Sequence, residues 1–109
     1  MTNPIVKWTT QSEQDLDELR EYIAGDFNVD LAIKTANELI NTVEKMLIDN
    51  PLCGQLLESN PLFSKLIYKG NVIYYCENPK DKSIYIIYLH ARKKELKKER
   101  IHHHFGNNN

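Results

Sequence analysis

The 109 residues suffice for one domain with a single modest core, and 41% hydrophobic with 27% charged residues is a globular rather than a disordered composition. No apolar run approaches the roughly 18 residues of a membrane span. Met1-Thr2-Asn3-Pro4 shows no basic and apolar leader, so a chain without signal peptide or membrane anchor is expected.

Ile5-Val6-Lys7-Trp8-Thr9 alternates, with Val6 and Trp8 on one face, and reads as a half-buried strand. Thr10-Gln11-Ser12-Glu13 supplies a capping box, in which a hydroxyl serves an early N–H and Glu13 reaches back. Leu16, Leu19 and Ile23 follow at helical spacing with Tyr22 beside them, and Gly25 is placed to end that helix in the left-handed region. Asp26-Phe27-Asn28 makes a tight link to a longer helix from Val29 to Asp49. Its apolar stripe is Ala32, Ala36, Leu39, Ile40, Val43, Met46 and Leu47, with Lys34, Glu38 and Lys45 off it. Asn50-Pro51 stops the helix, because the residue before proline disfavours helical backbone. Two amphipathic helices with so short a link form an antiparallel hairpin.

Pro51 to Leu62, with two prolines and a glycine, reads as loop. The period then becomes strand-like in three runs, Phe63–Tyr68, Val72–Glu77 and Ser83–His90, separated by Lys69-Gly70-Asn71 and Asn78-Pro79-Lys80-Asp81-Lys82. The last run is apolar or aromatic on both faces and suits an interior strand. Lys93 to Arg100 suits a short basic helix, and the residues from His102 a frayed tail. The fold class is therefore α+β, in the order β-α-α-β-β-β. An N-terminal strand and a two-helix hairpin pack on a small, mostly antiparallel sheet, followed by a short basic C-terminal helix or tail. One domain over residues 1–100 and a flexible tail over 101–109 are expected.

The net charge of −1 conceals a division. Residues 1–60 hold 4 Lys/Arg and 11 Asp/Glu, whereas residues 61–109 hold 10 and 4. A bipolar surface whose basic end attracts anionic partners follows, although a solvated Lys-rich terminal helix gives the same count. Cys53 and Cys76 fit no metal or redox spacing and read as reduced thiols of a cytoplasmic protein. His102-His103-His104 are adjacent on a tail and lack the spaced geometry of a structural zinc site. No metal and no cofactor are expected.

Several segments in this order resemble the RelE/ParE toxin superfamily of type II toxin–antitoxin and plasmid-stabilisation systems. They are Val6-Lys7-Trp8-Thr9, Asp15-Leu16 with Leu19, Tyr22-Ile23-Ala24, and Asn50-Pro51 followed by Gly54. Further on come Lys65-Leu66-Ile67, Asn71-Val72-Ile73-Tyr74-Tyr75, and the run from Ile84 to Arg92. The resemblance spans about residues 5–97 and lies in order and spacing rather than in one motif. It implies a cytoplasmic bacterial protein that stops growth when freed from a labile antitoxin. RelE-like branches cleave mRNA on the ribosome, and ParE-like branches poison DNA gyrase. The long hairpin and a pI of 6.4 place this chain nearer the ParE side.

Metal-free RNA cleavage needs removal of the 2′-OH proton, neutralised phosphate charge and protonation of the leaving oxygen. Lys65 and Lys69 share a face by period two, and Arg92 follows His90 by two residues. Lys65 and Arg92 match basic positions of the family's strands, and His90 is a residue type able to donate or accept a proton. Each has a plainer explanation: solvated lysines, or a histidine satisfied at a strand end. Tyr74, Tyr75, Tyr85 and Tyr88 suit base stacking, but cross-strand packing explains them better. Ribonuclease members carry an arginine within the third strand, where this chain has Val72 or Cys76. Their acid–base group near the C-terminus has no counterpart here, since Tyr88 and the three terminal histidines are poorly placed.

Three functions follow from the resemblance. One is a gyrase-binding toxin acting through the hairpin and the basic residues Lys69, Lys93, Lys94, Lys97 and Lys98. The second is a ribosome-dependent endoribonuclease using Lys65, His90 and Arg92. The third is a degenerate toxin that retains antitoxin binding alone. All imply an antitoxin partner that lays an amphipathic segment over exposed apolar surface, as a hetero-oligomer or with a homodimer of this chain, and none implies a membrane.

Overall fold

In the computed structural model, which describes residues 4–91, the elements run in the order β1 (Val6–Trp8), α1 (Thr10–Asp26), α2 (Val29–Asp49), β2 (Gln55–Leu56), β3 (Ser64–Tyr68), β4 (Asn71–Glu77) and β5 (Ile84–Ala91). The sheet order is β1-β5-β4-β3-β2. β1 joins β5 in parallel, Val6 opposite Ile84, and the other three pairings are antiparallel. This is the expected α+β architecture with one added strand. Gln55 and Leu56 pair with Lys65 and Ser64, within a stretch that reads as loop. Two exposed residues are too few for alternation to betray a strand. The basic C-terminal helix and the tail expected at 101–109 lie outside the described residues.

Both helices are placed by their caps. α1 starts one residue earlier than the Thr10 box implies. Thr9 Oγ1 accepts from Ser12 N at 3.2 Å and donates to the carbonyl of Ile87 at 2.8 Å, so the residue that caps the helix also ties it to β5. Ser12 is fully buried, and its hydroxyl is satisfied by donating to Thr9 O at 2.8 Å. Gly25 does not end α1. The helix continues to Asp26 and is closed by Phe27, whose N–H bonds Ile23 O and whose φ of −128° is not left-handed. The reversal falls to Asn28, whose side chain accepts from Leu31 N at 2.7 Å and caps α2.

The core lies between one face of the sheet and the hairpin. Leu16, Leu19 and Ile23 of α1 meet Ala32, Leu39, Val43 and Leu47 of α2 over Leu66, Ile73, Tyr75, Ile84, Ile86 and Leu89, with Ile40, Met46 and Tyr22 half-buried at its margin. Each fully buried aliphatic side chain here contributes about 1.5–3 kcal/mol relative to exposure. Two polar links fix the hairpin on the sheet. Asp15 on α1 accepts from Leu89 N at 2.9 Å, and the Trp8 indole donates to Glu44 on α2 at 2.7 Å.

A bulge sets which face each β5 side chain takes. Tyr74 opposes Tyr88 but Tyr75 opposes Ile86, so Ile87 is the extra residue. Before it, Ile84 and Ile86 point into the core; after it, Leu89 does. Tyr85, Tyr88 and His90 consequently face away from the helices.

Candidate functional site

The sheet face left open by the helices collects the chemistry-bearing side chains. Lys7, Lys65, Tyr74, Tyr85, Tyr88 and His90 all stand on it by strand alternation and register. Tyr74 and Tyr88 pack across the β4–β5 pair with ring centroids 4.8 Å apart and planes at 55°. Lys7 Nζ sits 5.5 Å from the centroid of the Tyr85 ring, a cation–π distance. Tyr88 is 45% and Ile67 48% exposed, so this surface presents apolar and aromatic area to solvent. Cross-strand packing therefore accounts for Tyr74 and Tyr88, as favoured from the sequence.

Tyr75 leaves that set. It is 3% exposed on the core face, where its hydroxyl donates to Pro51 O at 3.0 Å and accepts from Gly54 N at 2.9 Å. Burial pushes its phenol above the usual range, with the Gly54 N–H opposing that shift. The residue is a clamp on the loop after α2.

Of the proposed ribonuclease residues, Lys65 and His90 do share the open face. Lys65 pairs with Tyr74 and Tyr74 with Tyr88, whereas His90 stands two residues further along β5. Strand spacing and rise put their Cα atoms about 12 Å apart, so side chains of their length can flank one phosphate. Arg92 lies outside the described residues. Val72, 5% exposed, and Cys76 occupy β4 where a ribonuclease arginine is expected, and neither supplies charge.

Lys69 does not share the face of Lys65. Lys69 and Gly70, with φ of 47° and 80°, form a two-residue turn of the type whose twist suits a hairpin. The turn carries Lys69 out of the alternation, and its Nζ lies 5.5 Å from the Tyr68 ring, which packs against the core. Ala91 pairs with Asn71 beside this turn, and Lys93, Lys94, Lys97 and Lys98 lie outside the described residues. Lys80 and Lys82 stand in the β4–β5 connection at the opposite end of the sheet. The described cations are therefore divided between the two ends and the open face.

The thiols of Cys53 and Cys76 are unpaired, and burial pushes both above the usual thiol range. Among the described residues no group of three His, Cys, Asp or Glu is arranged to hold a metal, and no helix is long and apolar enough to cross a membrane. Sequence reading overlooked Lys7 as part of the open face. Its signal was present, since alternation with Val6 and Trp8 puts it opposite them.

A strand, a long helical hairpin and a bulged meander closed by a parallel edge strand make up a fold found in solved toxin–antitoxin complexes. A chain of the chromosomal ParDE system from P. aeruginosa superposes with a TM-score of 0.69 at 22% identity, covering 81% of this chain and 95% of that one. A chain of the RelBE2 toxin–antitoxin complex from Mycobacterium tuberculosis gives 0.65 at 17% identity, covering 84% and 94%. At such identities the likeness establishes the fold. No curated protein matches the chain in sequence. The family model for the ParE toxin of the type II toxin–antitoxin system parDE matches residues 6–96, and the chain belongs to that family.

Proposed function

We propose that this chain is a cytoplasmic toxin that arrests growth by binding DNA gyrase and is held inactive by a cognate antitoxin. The observation that carries this reading is the ParE family match over residues 6–96 on a chain whose β4 offers Val72 and Cys76 in place of a phosphate-neutralising arginine. The toxin acts by occupying its target, without chemistry of its own. The hairpin supports that role: between Thr10 and Asp49 it holds ten Asp/Glu against three Lys/Arg. Lys69, Lys93, Lys94, Lys97 and Lys98 supply positive charge suited to an enzyme–DNA target. At the bend of the hairpin, Phe27, Val29, Leu31 and Ile33 are exposed large hydrophobics, a surface that suits the amphipathic segment of an antitoxin.

A ribonuclease reading has one observation in its favour, the shared face of Lys65, His90 and the Tyr74–Tyr88 pair. Induction of the chain in cells separates the two. Gyrase poisoning gives supercoiling defects and an SOS response with intact mRNA; ribosome-dependent cleavage gives cut mRNA without them. Lys65→Ala combined with Arg92→Ala abolishes toxicity if the chain is a ribonuclease and spares it if gyrase is the target. A chain that binds antitoxin but causes no arrest would refute the toxic reading altogether.

A further inference from the structure

An open cleft of about 260 Å³ lies where α1, α2 and the end of β1 meet, away from the open sheet face. Its apolar surface is Trp8, Leu16 and Ile40, and its charged rim is Glu13, Asp17, Glu44 and Arg20. Arg20 is bound to Asp17 at 2.9 Å. Glu13 and Glu44 have no ion-pair partner among the described residues, so the rim keeps a net negative charge. The Trp8 indole N–H donates to Glu44 Oε2 at 2.7 Å, which fixes ring and carboxylate side by side. An aromatic ring, aliphatic walls and fixed carboxylates recognise a cation on an apolar stem, by cation–π attraction and charge-assisted hydrogen bonds. A neutral or acidic side chain lacks these contacts.

We infer that this cleft receives an arginine side chain from the antitoxin, which makes Trp8 and Glu44 specificity residues of the toxin–antitoxin interface. The inference rests on the reading that an antitoxin binds this chain. Arginine fits better than lysine because its planar guanidinium both stacks on indole and forks to a carboxylate. The cleft also continues an apolar path. Ile33, 51% exposed at the hairpin bend, lies two helical turns before Ile40 on the same side of α2. A partner segment lying along α2 thus covers Ile33 and sets its arginine between Trp8 and Glu44.

Trp8 is the single tryptophan of the chain, so its emission reports this cleft alone. The full chain is titrated with N-acetyl-arginine amide and, as an uncharged shape match, N-acetyl-citrulline amide. Arginine is expected to shift the emission saturably, with citrulline at least about tenfold weaker. Glu44→Gln, which keeps an acceptor for the indole, removes the preference. Arg20→Ala, at the surface, strengthens arginine binding by lifting the competing charge, an effect that misfolding cannot mimic. Equal response to both probes, or an arginine response unchanged by Glu44→Gln, overturns the inference. In a second measurement, affinity for the antitoxin encoded beside the toxin gene is compared between wild type and Glu44→Gln. About tenfold weakening supports the cleft; equal affinity overturns it and leaves the toxin reading intact. Failure of the wild type to bind any such antitoxin overturns the partner reading and the inference with it, even where free arginine binds.

Discussion

Replacing Gly54 by alanine tests the packing of the loop after α2. A Cβ at this position would collide with the Tyr75 hydroxyl and stand 2.7 Å from both Lys65 O and Tyr75 Cε1. Two of these neighbours cannot yield cheaply. Lys65 O belongs to β3, and the Tyr75 hydroxyl is held between Gly54 N at 2.9 Å and Pro51 O at 3.0 Å. Overpacking of this kind costs about 1–3 kcal/mol, and displacing the hydroxyl forfeits hydrogen bonds of about 1 kcal/mol each. The sum, about 3–5 kcal/mol, is a large share of the 5–15 kcal/mol typical of a domain. With an unfolding entropy of about 2.1 cal/mol/K per residue, it lowers Tm by about 13–22 °C, read by calorimetry. Tyr75→Phe removes the hydroxyl, so Gly54→Ala should cost at least about 1 kcal/mol less in that background. A Tm loss under 3 °C, or the same cost in both backgrounds, would refute the reasoning.

Gly25 predicts the opposite sign. It lies within α1 with nothing within 4 Å of an added Cβ, so Gly25→Ala should stabilise by about 0.5–1 kcal/mol, seen as a higher urea midpoint. Asp15→Ala deprives the Leu89 amide of its acceptor at 2.9 Å, which should cost about 2 kcal/mol and speed hydrogen exchange at Leu89; Asp15→Asn, still an acceptor, should cost less than half as much. Because burial raises both thiol pKa values, less thiolate is present at neutral pH. Cys76, the less exposed of the two, should therefore alkylate more slowly with iodoacetamide at pH 7.5 than a peptide cysteine, and reach its rate in urea. Equal rates in the native protein would contradict the burial argument.

The second helix was legible over about Val29 to Asp49, because an uninterrupted stripe lies between Asn28 and Asn50-Pro51. The β3–β4 hairpin was legible for a similar local reason, as Lys69-Gly70 adopts the positive φ that a tight turn demands. β5 was recognisable as a strand but not as a bulged one. Its residues are apolar or aromatic on both sides, so alternation could not say which of Ile86, Ile87 and Tyr88 faces the helices. The face of His90 followed from the bulge and stayed hidden with it. Lys69 was misplaced because a period-two count was carried through a turn that breaks it. The link from Trp8 to Glu44 spans 36 positions and has no local pattern at all.

The strand that opens the fold finds its neighbour at the far end of the chain: Thr9 donates to Ile87 across 78 positions. Ribosomes add about 5–20 residues each second, so the first strand waits several seconds for its partner to be made. Until then the Trp8 edge has no ladder to join and Asp15 no amide to accept. Pairings of such long range also slow closure once the chain is complete. A product cut short within β4 would therefore be an unclosed chain rather than a smaller copy of the same protein.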